Sequence, residues 1–261
     1  MSAILLHLWG PFSIHSYGFF IALGLVIFMY LVMQDGRFKR LSLEHSFFDI
    51  IMVGIIFSLV GGRVLFVISE QEELESIVDF FAFWQGGLSI LGAVMGALVG
   101  VSFFLRLKKI PILPFLDLVA VYAPLLQAVS RIGCFCAGCC YGMSCSYHWA
   151  VIYTDNQCYA PLNVYIHPTQ LYSAGILFAL FLFLFFYLKN KKLPRGFLLA
   201  SYIFCMALER FLVDFWRADR CRVVTYFSYN QYVAFFLMAL AMIGAIISFY
   251  FQKKKNVFTS I

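Results

Sequence analysis

The chain has 261 residues, of which 63% are hydrophobic and only 12% are charged, and its mean hydropathy is +0.88. Soluble domains carry about 25% charged residues, so this composition excludes an ordinary soluble protein and indicates a bilayer as the solvent. The formal net charge is +6, but in a membrane protein the positions of the basic residues are more informative than their sum.

Seven apolar runs predict seven transmembrane helices, because about 20 apolar residues in succession span the hydrocarbon layer. The first run is expected to be a retained helix, since residues 1–13 contain no Lys or Arg and lack the basic region of a signal peptide. No repeat or Pro/Ser-rich linker divides the chain. Residues 1–261 are therefore expected to form a single polytopic, all-α membrane domain with a small outer head segment at about 142–166. The runs are 14–33, 47–68, 88–104, 112–129, 171–188, 196–213 and 232–251.

The distribution of charged residues predicts the orientation of these helices. Lys and Arg cluster after the first, third, fifth and seventh runs, whereas five acidic residues and no lysine follow the second. The positive-inside rule therefore predicts an N-terminus outside the cell and a cytoplasmic C-terminus. The basic clusters lie at 37–40, 106–109, 189–195 and 253–255.

Six arginines lie within the helices or on the outer side, against this rule. Ionisable groups inside a membrane are functional-site candidates, and several arginines on one side exceed what helix capping requires. The alternative is that Glu209–Arg210 and Asp214–Arg217 are local ion pairs that hold helix ends. The six are Arg63, Arg131, Arg210, Arg217, Arg220 and Arg222.

The stretch at residues 131–142 combines one arginine with three glycines and four cysteines. Glycine at this density lets the backbone turn tightly and approach a ligand or a neighbouring helix. An arginine at the edge of apolar sequence is costly to bury unless an anion meets it. The stretch is therefore predicted to be a non-helical lipid-headgroup site. The alternative is a loop whose arginine only snorkels to the interface.

The third run carries Gly92, Gly96 and Gly100 at every fourth position, which predicts a face on which a neighbouring helix packs closely. Residues 86–89, Gly-Gly-Leu-Ser, lie at the outer mouth of the same helix and are expected either to shape its start or to form part of a site.

Polar residues at two helix starts have both a structural and a functional interpretation. His15 and Tyr17 are typical of the interfacial belt of a membrane helix. Pro168 is expected to set the first turn of the fifth helix. His167 before it is expected to be a capping or interfacial residue, with a catalytic role as the alternative.

Together these segments resemble the prolipoprotein diacylglyceryl transferases, the bacterial membrane enzymes that start lipoprotein maturation. Residues 15–18 look like the family's His-x-Tyr-Gly, and residues 61–63 look like its Gly-Gly-Arg. Residues 86–89 look like the start of its Gly-Gly-(Leu/Met)-Ser-x-His-Gly, and Asp117 matches an aspartate of the fourth helix.

The second half of the chain carries the more specific matches. Residues 131–138 are similar to the signature Arg-(Ile/Leu)-Gly-Asn-Phe-x-Asn-Gly, and residues 167–172 are similar to His-Pro-(Ser/Thr)-Gln-Leu-Tyr. Arg210, Asp214 and Arg217 fall on the family's Arg-x-x-x-Glu-x-x-Arg. The resemblance runs in the same order over most of the chain, so it implies the family's seven-helix fold.

Several polar positions of the family have changed in this sequence. Leu91 stands where the family has a histidine, and Ser173 stands where it has the glutamate after Gln-Leu-Tyr. Cys134, Cys136 and Cys139 lie in the stretch where the signature has two asparagines and then a glutamate. The resemblance therefore supports the fold more directly than it supports the reaction.

The resemblance implies an enzyme that moves the diacylglyceryl group of phosphatidylglycerol onto the thiol of a lipobox cysteine and releases glycerol phosphate. It also implies a multi-pass protein of the bacterial inner (plasma) membrane. The expected partners are phosphatidylglycerol, the prolipoprotein lipobox segment and the membrane. A monomer without cofactor, metal or nucleic acid is expected.

The reaction requires a cationic clamp for the phosphate, and arginine suits it because its planar fork can bind phosphate through two hydrogen bonds. The residues expected to be catalytic are Arg131, Arg210 and His167. Those expected to bind substrate are Arg131, Gly138, Tyr17, Arg63, Gly87, Ser89, Asp117, Asp214 and Arg217.

The reaction also requires a thiolate, because the thiolate is the nucleophilic form of cysteine. Leu91 cannot accept a proton. The substitutes for the family's histidine are His167, His15, Glu209 and Asp214, or the field of the arginines acting without a dedicated base.

The cysteines allow other interpretations. Six of them lie at residues 134–158 on the predicted outer side, where disulfides can form, and Cys145–Cys158 is the first pair to expect. A metal site is less expected, since Cys-x-Cys-x-x-Cys-Cys lacks the paired Cys-x-x-Cys spacing of structural zinc sites. Two alternative functions are kept. Leu91 favours a non-catalytic paralogue that binds phospholipid or lipoprotein, and the cysteines alone favour a cysteine-based redox or metal-binding membrane protein.

Overall fold

The computed structural model describes residues 4–7, 13–69, 89–218, 220 and 227–258. A short antiparallel pair of strands, β1 (Ile4–His7) and β2 (Ser13–His15), precedes the helices. The helices in the described ranges are α1 (Ser16–Gln34), α2 (Gly36–Arg40), α3 (Phe47–Ser69), α4 (Ile90–Leu107), α5 (Ile112–Ala137), α6 (Thr169–Leu182), α7 (Phe197–Val213) and α8 (Tyr229–Phe258).

Long helices cover all seven apolar runs, and a π-helical turn at Phe183–Leu188 extends α6. Five helical segments of the described chain are long and apolar enough to cross a membrane. α4 is shorter but also apolar, and α7 has 17 residues. The helical membrane protein predicted from composition is therefore confirmed. The five segments are Ser16–Gln34, Phe47–Ser69, Ile112–Ala137, Thr169–Leu188 and Tyr229–Lys253.

The helices turn apolar side chains outward. Phe235 and Ile246 of α8 are each 67% exposed, and only 11% of the apolar window of this helix is buried. Soluble proteins rarely leave such a surface in water, whereas in lipid it needs no partner. Helices suit this environment because every backbone hydrogen bond is satisfied within the segment.

The prediction that residues 131–142 are non-helical is wrong for the first part of this stretch. α5 continues through Arg131 to Ala137, so only residues 138–142 leave the helix. Gly133, in the last two turns of α5, allows α1 to pack closely and does not form a turn. A Cβ on Gly133 would lie 2.9 Å from Cβ of Phe20 in α1. The turn begins at Gly138, whose φ of +76° is left-handed and favours glycine.

The chain divides into two compact units, Asp35–Phe115 and the combination of Met1–Gln34 with Leu116–Ile261. In the first unit α3 and α4 pack through glycines, as the spacing of Gly92, Gly96 and Gly100 predicts. A Cβ on Gly96 would lie 2.1 Å from the carbonyl oxygen of Phe57, and a Cβ on Gly92 would lie 2.3 Å from that of Gly61. The glycine face is therefore a helix–helix contact.

In the second unit, α5 carries Asp117 near its start and Arg131 near its end. Near its start, the carboxylate of Asp117 accepts hydrogen bonds from the backbone N–H groups of Gly196 (2.6 Å) and Leu199 (2.9 Å), and so caps the N-terminus of α7. Arg131 lies 14 residues later, about 21 Å along the helix axis. Between them, Gln127 donates to the hydroxyl of Tyr202 at 2.9 Å and ties α5 to α7.

The head segment folds onto the end of α5. Tyr153 is fully buried with Ala160 and Ile166, and its hydroxyl donates to the carbonyl of Phe135 at 2.6 Å. Isolated bridges join Val151 to Ile166 and Tyr153 to Leu162. This segment therefore covers the place where the helix turns into the cysteine-rich loop.

The glycine contact of the first unit gives a stability prediction. Gly96→Ala forces α3 and α4 apart, because the added Cβ meets backbone that cannot rotate away. We expect a loss of about 1–3 kcal/mol, measured as thermal unfolding in detergent. Gly244→Ala in α8 is the matched control, since a Cβ there meets nothing within 4 Å. An equal Tm for the two variants would contradict the contact.

Candidate functional site

Three arginines converge near the end of α5 and the end of α7. Arg131 lies in the last two turns of α5, Arg210 lies in the last turn of α7, and Arg217 follows the short turn Asp214–Trp216. The positive charges of Arg217 and Arg131 both act on Arg210. Within the described residues no carboxylate forms an ion pair with Arg131 or Arg210. Gathering like charges this way is costly unless an anion compensates them.

A cluster of three thiols lies against these arginines. The side chains of Cys134, Cys139 and Cys140 lie close enough to interact with one another, and the thiol of Cys139 donates to the carbonyl of Cys134 at 3.8 Å. Arg217 and Arg131 act electrostatically on Cys140. We call these residues the thiol cluster.

The members of the thiol cluster differ in acidity. Hydrogen bonds from the thiols of Cys134 and Cys139 lower the pKa of Cys140 well below its usual value, burial opposes this, and Arg217 and Arg131 lower the pKa further. The pKa of Cys139 is raised because its thiol hydrogen-bonds to Cys134 and Cys140. Of the two members in the loop, Cys140 is therefore the more acidic.

α1 brings a phenol to the same place. Tyr17 interacts electrostatically with Arg131 and with all three members of the thiol cluster. The close approach of α1 to α5 at Gly133 makes this possible, since a Cβ there would lie 3.3 Å from Cα of Tyr17. The phenol is partly exposed and so borders the site.

The start of α6 holds the cysteine-rich loop in place. Thr169 donates from its hydroxyl to the carbonyl of Cys140 at 2.8 Å, and Gln170 donates from its side-chain amide to the carbonyl of Cys139 at 2.8 Å. Cys140 has a left-handed φ of +59°, which is uncommon outside glycine and is sustained by these bonds. A Cβ on Gly142 would lie 2.5 Å from Cβ of His167, so only glycine fits there.

His167 is buried among aromatic side chains. Its Nδ1 lies 3.1 Å from the hydroxyl of Tyr172, which also accepts a hydrogen bond from the indole of Trp149 at 2.8 Å. Tyr147 stacks on Trp149 with ring centroids 5.0 Å apart. The His167 backbone accepts from Gly142 and donates to Met143. These contacts make His167 an anchor for the loop.

A buried carboxylate lies beside the arginines. Glu209 is 3% exposed, accepts a hydrogen bond from the hydroxyl of Ser173 and attracts the charge of Arg210. Ser173 in α6 stands at the position of the glutamate after Gln-Leu-Tyr, and it thus contacts a carboxylate that α7 supplies. Sequence reasoning named Glu209 but missed this contact, since 36 positions separate the two residues.

The two aspartates predicted to bind substrate are occupied by helix contacts. Asp117 caps α7 at the far end of α5. Asp214 is fully buried, accepts hydrogen bonds from Ser228 and from Asn230 (3.2 Å), and pairs with Arg220 at 3.7 Å. Both aspartates therefore make contacts at the ends of α7.

The remaining predicted residues belong to the other unit or to the loop. Arg63 is buried and its guanidinium lies over the ring of Phe66. The N–H of Ser89 donates to the carbonyl of Gly62 at 3.0 Å, so Ser89 contacts the Gly-Gly-Arg motif at 61–63 within the unit Asp35–Phe115. Gly87 lies outside the described residues. Gly138 begins the cysteine-rich loop.

The expected Cys145–Cys158 disulfide is not present in the structure. Cys158 instead packs over Gly138 and donates to the carbonyl of Cys136 at 3.7 Å, while the N–H of Cys145 bonds to the carbonyl of Tyr165. Among the described residues no group of three or more His, Cys, Asp or Glu side chains could hold a metal ion.

Comparison with known proteins decides the family. The model of the family described as prolipoprotein diacylglyceryl transferase matches residues 3–247. The chain belongs to this family. A phosphatidylglycerol–prolipoprotein diacylglyceryl transferase of Clostridium tetani is 32% identical over 242 residues, which cover 93% of this chain and 96% of the relative.

Two further relatives have similar names and coverage. Phosphatidylglycerol–prolipoprotein diacylglyceryl transferase 2 of Clostridium perfringens is 31% identical, over 94% of this chain and 93% of the relative. The Corynebacterium glutamicum transferase is 30% identical, over 94% of this chain and 81% of the relative. Membership in the prolipoprotein diacylglyceryl transferase family, predicted from six ordered motifs, is thus confirmed.

The anchoring of the loop by α6 is testable by removing one hydroxyl. Thr169→Val keeps the shape of the side chain but leaves the partly buried carbonyl of Cys140 without its donor, which costs about 1–3 kcal/mol. We expect a lower Tm and faster amide hydrogen exchange at residues 138–142.

Thr154→Val is the control for this change, because Thr154 is exposed on the head segment. Unchanged Tm and unchanged exchange in the Thr169 variant would show that the hydrogen bond does not hold the loop.

Proposed function

We propose that this protein transfers the diacylglyceryl group of phosphatidylglycerol to the thiol of a lipobox cysteine in prolipoproteins, with release of glycerol phosphate. The observation that carries the proposal is the convergence of Arg131, Arg210 and Arg217 beside the thiol cluster, in a chain of the prolipoprotein diacylglyceryl transferase family. The names of the relatives support the substrates.

The arginines suit the phosphate in both its bound and its leaving form. Arg131 and Arg210 are the proposed clamp, and Arg217 adds charge from the side of the thiol cluster. The phosphodiester carries one negative charge, whereas the departing glycerol phosphate develops a second. Fixed cations therefore stabilise the transition state more than the ground state, which is the condition for catalysis.

Apolar side chains next to the arginines suit a lipid substrate. Ile132 follows Arg131 and is 39% exposed, and Leu212 lies two positions after Arg210 and is also exposed. A phospholipid arriving from the bilayer can keep its acyl chains in lipid while its headgroup reaches the guanidinium groups. Tyr17, which interacts with Arg131, is also exposed.

The proposal includes the topology and the location. Seven spans with an outer N-terminus and a cytoplasmic C-terminus place the basic clusters on one side and the arginine site on the other, in agreement with the positive-inside rule. We propose a single multi-pass domain in the bacterial inner membrane that acts as a monomer without cofactor. Substrate-binding roles for Arg63, Gly87 and Ser89 stay predictions.

Leu91 favours a second candidate function. This residue, in the position of the family's histidine, is 64% exposed and has no proton acceptor. A paralogue that binds phospholipid or lipoprotein without turnover would retain the arginines and tolerate this change. Transfer activity separates the two candidates.

The deciding experiment is transfer in vitro. Purified protein in phosphatidylglycerol-containing micelles is mixed with a lipobox peptide, and the peptide mass is followed for a diacylglyceryl gain. We expect transfer by the wild type and a loss of about 10²–10³-fold in Arg131→Ala, because a fixed cation at the developing charge is removed. Arg131→Lys should retain part of the rate, since it keeps the charge but lacks the fork.

Arg106→Ala, which changes an exposed arginine at the end of α4, is the control and should retain the wild-type rate. Absence of transfer with phosphatidylglycerol still bound to the protein would favour the binding paralogue. Absence of both would refute the proposed function.

A further inference from the structure

The head segment and its two attachments, residues 141–172, carry almost no charge. Asp155 is the only Asp, Glu, Lys or Arg among them, whereas soluble domains carry about 25% charged residues. The segment follows α5 and ends in the first turn of α6, and both of these helices are long and apolar enough to cross a membrane. Its composition is therefore unlike that of a surface that faces only water.

The same residues expose large apolar side chains. Tyr153, Ala160 and Ile166 form a small buried core, but eight large apolar side chains are more than a third exposed. Soluble proteins rarely expose so many together, and such a patch marks a contact with another protein or with a membrane. The eight are Met143, Tyr147, Trp149, Tyr159, Leu162, Val164, Tyr165 and Leu171.

Five aromatic rings form a row from the head segment to the end of α7. Tyr147 stacks on Trp149, and its centroid lies 5.6 Å from that of His167. The Tyr172 ring lies 6.0 Å from His167 and 6.3 Å from Trp216. Tyr147 and Trp149 are each 56% exposed and Trp216 is 43% exposed. We call these five residues the aromatic row.

The aromatic row adjoins the lipid-facing surface of α6. Trp149 donates its indole N–H to the hydroxyl of Tyr172 at 2.8 Å, which attaches the row to the first turn of this helix. Leu171 and Phe178 lie two turns apart on one face of α6, and both are exposed. Exposed apolar surface therefore continues from a membrane helix onto the head segment.

We propose that the head segment lies in the lipid headgroup layer of the membrane, with Tyr147 and Trp149 in contact with phospholipid. Trp and Tyr favour this depth because each has an apolar ring and one polar end. The indole N–H of Trp149 has a partner inside the protein, so its ring needs no water. The polar turn at 154–157, Thr-Asp-Asn-Gln, contains the one charged residue and faces water. The inference does not depend on the transfer reaction.

This depth has a consequence for the arginine site. Trp216 of the aromatic row directly precedes Arg217, and the N–H of Met143 in the head segment donates to the carbonyl of Trp216 at 2.8 Å. A head segment among the headgroups therefore holds Arg217 at the level of the lipid phosphates. A phospholipid then reaches the clamp without leaving its leaflet. This consequence, unlike the depth itself, rests on the proposed function.

Tryptophan fluorescence tests the depth. Trp149 is kept as the only tryptophan by Trp9→Phe, Trp84→Phe and Trp216→Phe, and the protein is reconstituted into vesicles of phosphatidylcholine and phosphatidylglycerol. Part of the phosphatidylcholine carries bromine, which quenches tryptophan on contact. We expect bromine at the headgroup end of the acyl chain to lower Trp149 emission at least about twofold, because tryptophan prefers this depth. Bromine at the chain terminus should quench less.

The control places the tryptophan in the polar turn of the same segment. Asn156→Trp is combined with Phe at all four natural tryptophan positions, since Asn156 is exposed in that turn. Its emission should be quenched by acrylamide in the water and little by bromine in the lipid. A Trp149 that behaves like this control would overturn the inference. Shielding of Trp149 only by an added lipobox peptide would also overturn it, because the row would then bind prolipoprotein.

Cross-linking of the unmutated protein gives a second measurement, which does not depend on the folding of the variants. A phospholipid with a photoactivatable group near its headgroup is activated in the vesicles, and the adducts are located by peptide mass after chymotrypsin cleavage. Adducts are expected at residues 147–149. Adducts at the turn 154–157, with none at 147–149, would contradict the proposed depth.

The depth and the proposed function can fail separately, because neither measurement of depth needs turnover. A wild type that transfers nothing, with Trp149 quenched by bromolipid, would overturn the proposed function and leave the depth intact. A wild type that transfers, with Trp149 exposed to water, would overturn the depth while the proposed function stands.

Discussion

Repulsion among guanidinium groups is the constraint on which the rest of the site depends. Arg131, Arg210 and Arg217 lie at the ends of helices in an apolar protein, where charge is costly to hold. The carboxylate of Glu209 offsets part of this charge inside the protein. The remaining excess of positive charge makes the site attractive to a phosphate that arrives with its lipid.

The surrounding contacts hold this unfavourable arrangement together. Glycines at 133 and 142 allow α1 and the His167 backbone to approach closely, and side chains at the start of α6 hold the loop carbonyl groups. Asp117 and Asp214 fix the two ends of α7, which carries Arg210. Several polar residues in the family's motifs therefore hold the segments that carry the charged groups.

The sequence predicted the helices because each is a run of about 20 apolar residues, a signal that needs no knowledge of neighbours. It also predicted the glycine contact of α3 and α4 from spacing alone. The helical continuation of α5 past Arg131 was missed, since glycine and cysteine suggested a loop. The thiol cluster and the Ser173–Glu209 bond depend on which chain segments meet in the fold, and no local pattern predicts such meetings.

The left-handed backbone at position 140 limits which residues can replace the cysteine there during evolution. Branched side chains such as Val, Ile and Thr are disfavoured there whatever their chemistry, whereas Gly, Asn and Asp fit the conformation. A lineage that loses the cysteine by drift is thus directed toward a few small or polar residues. Of those replacements, only aspartate would place a carboxylate beside the arginines.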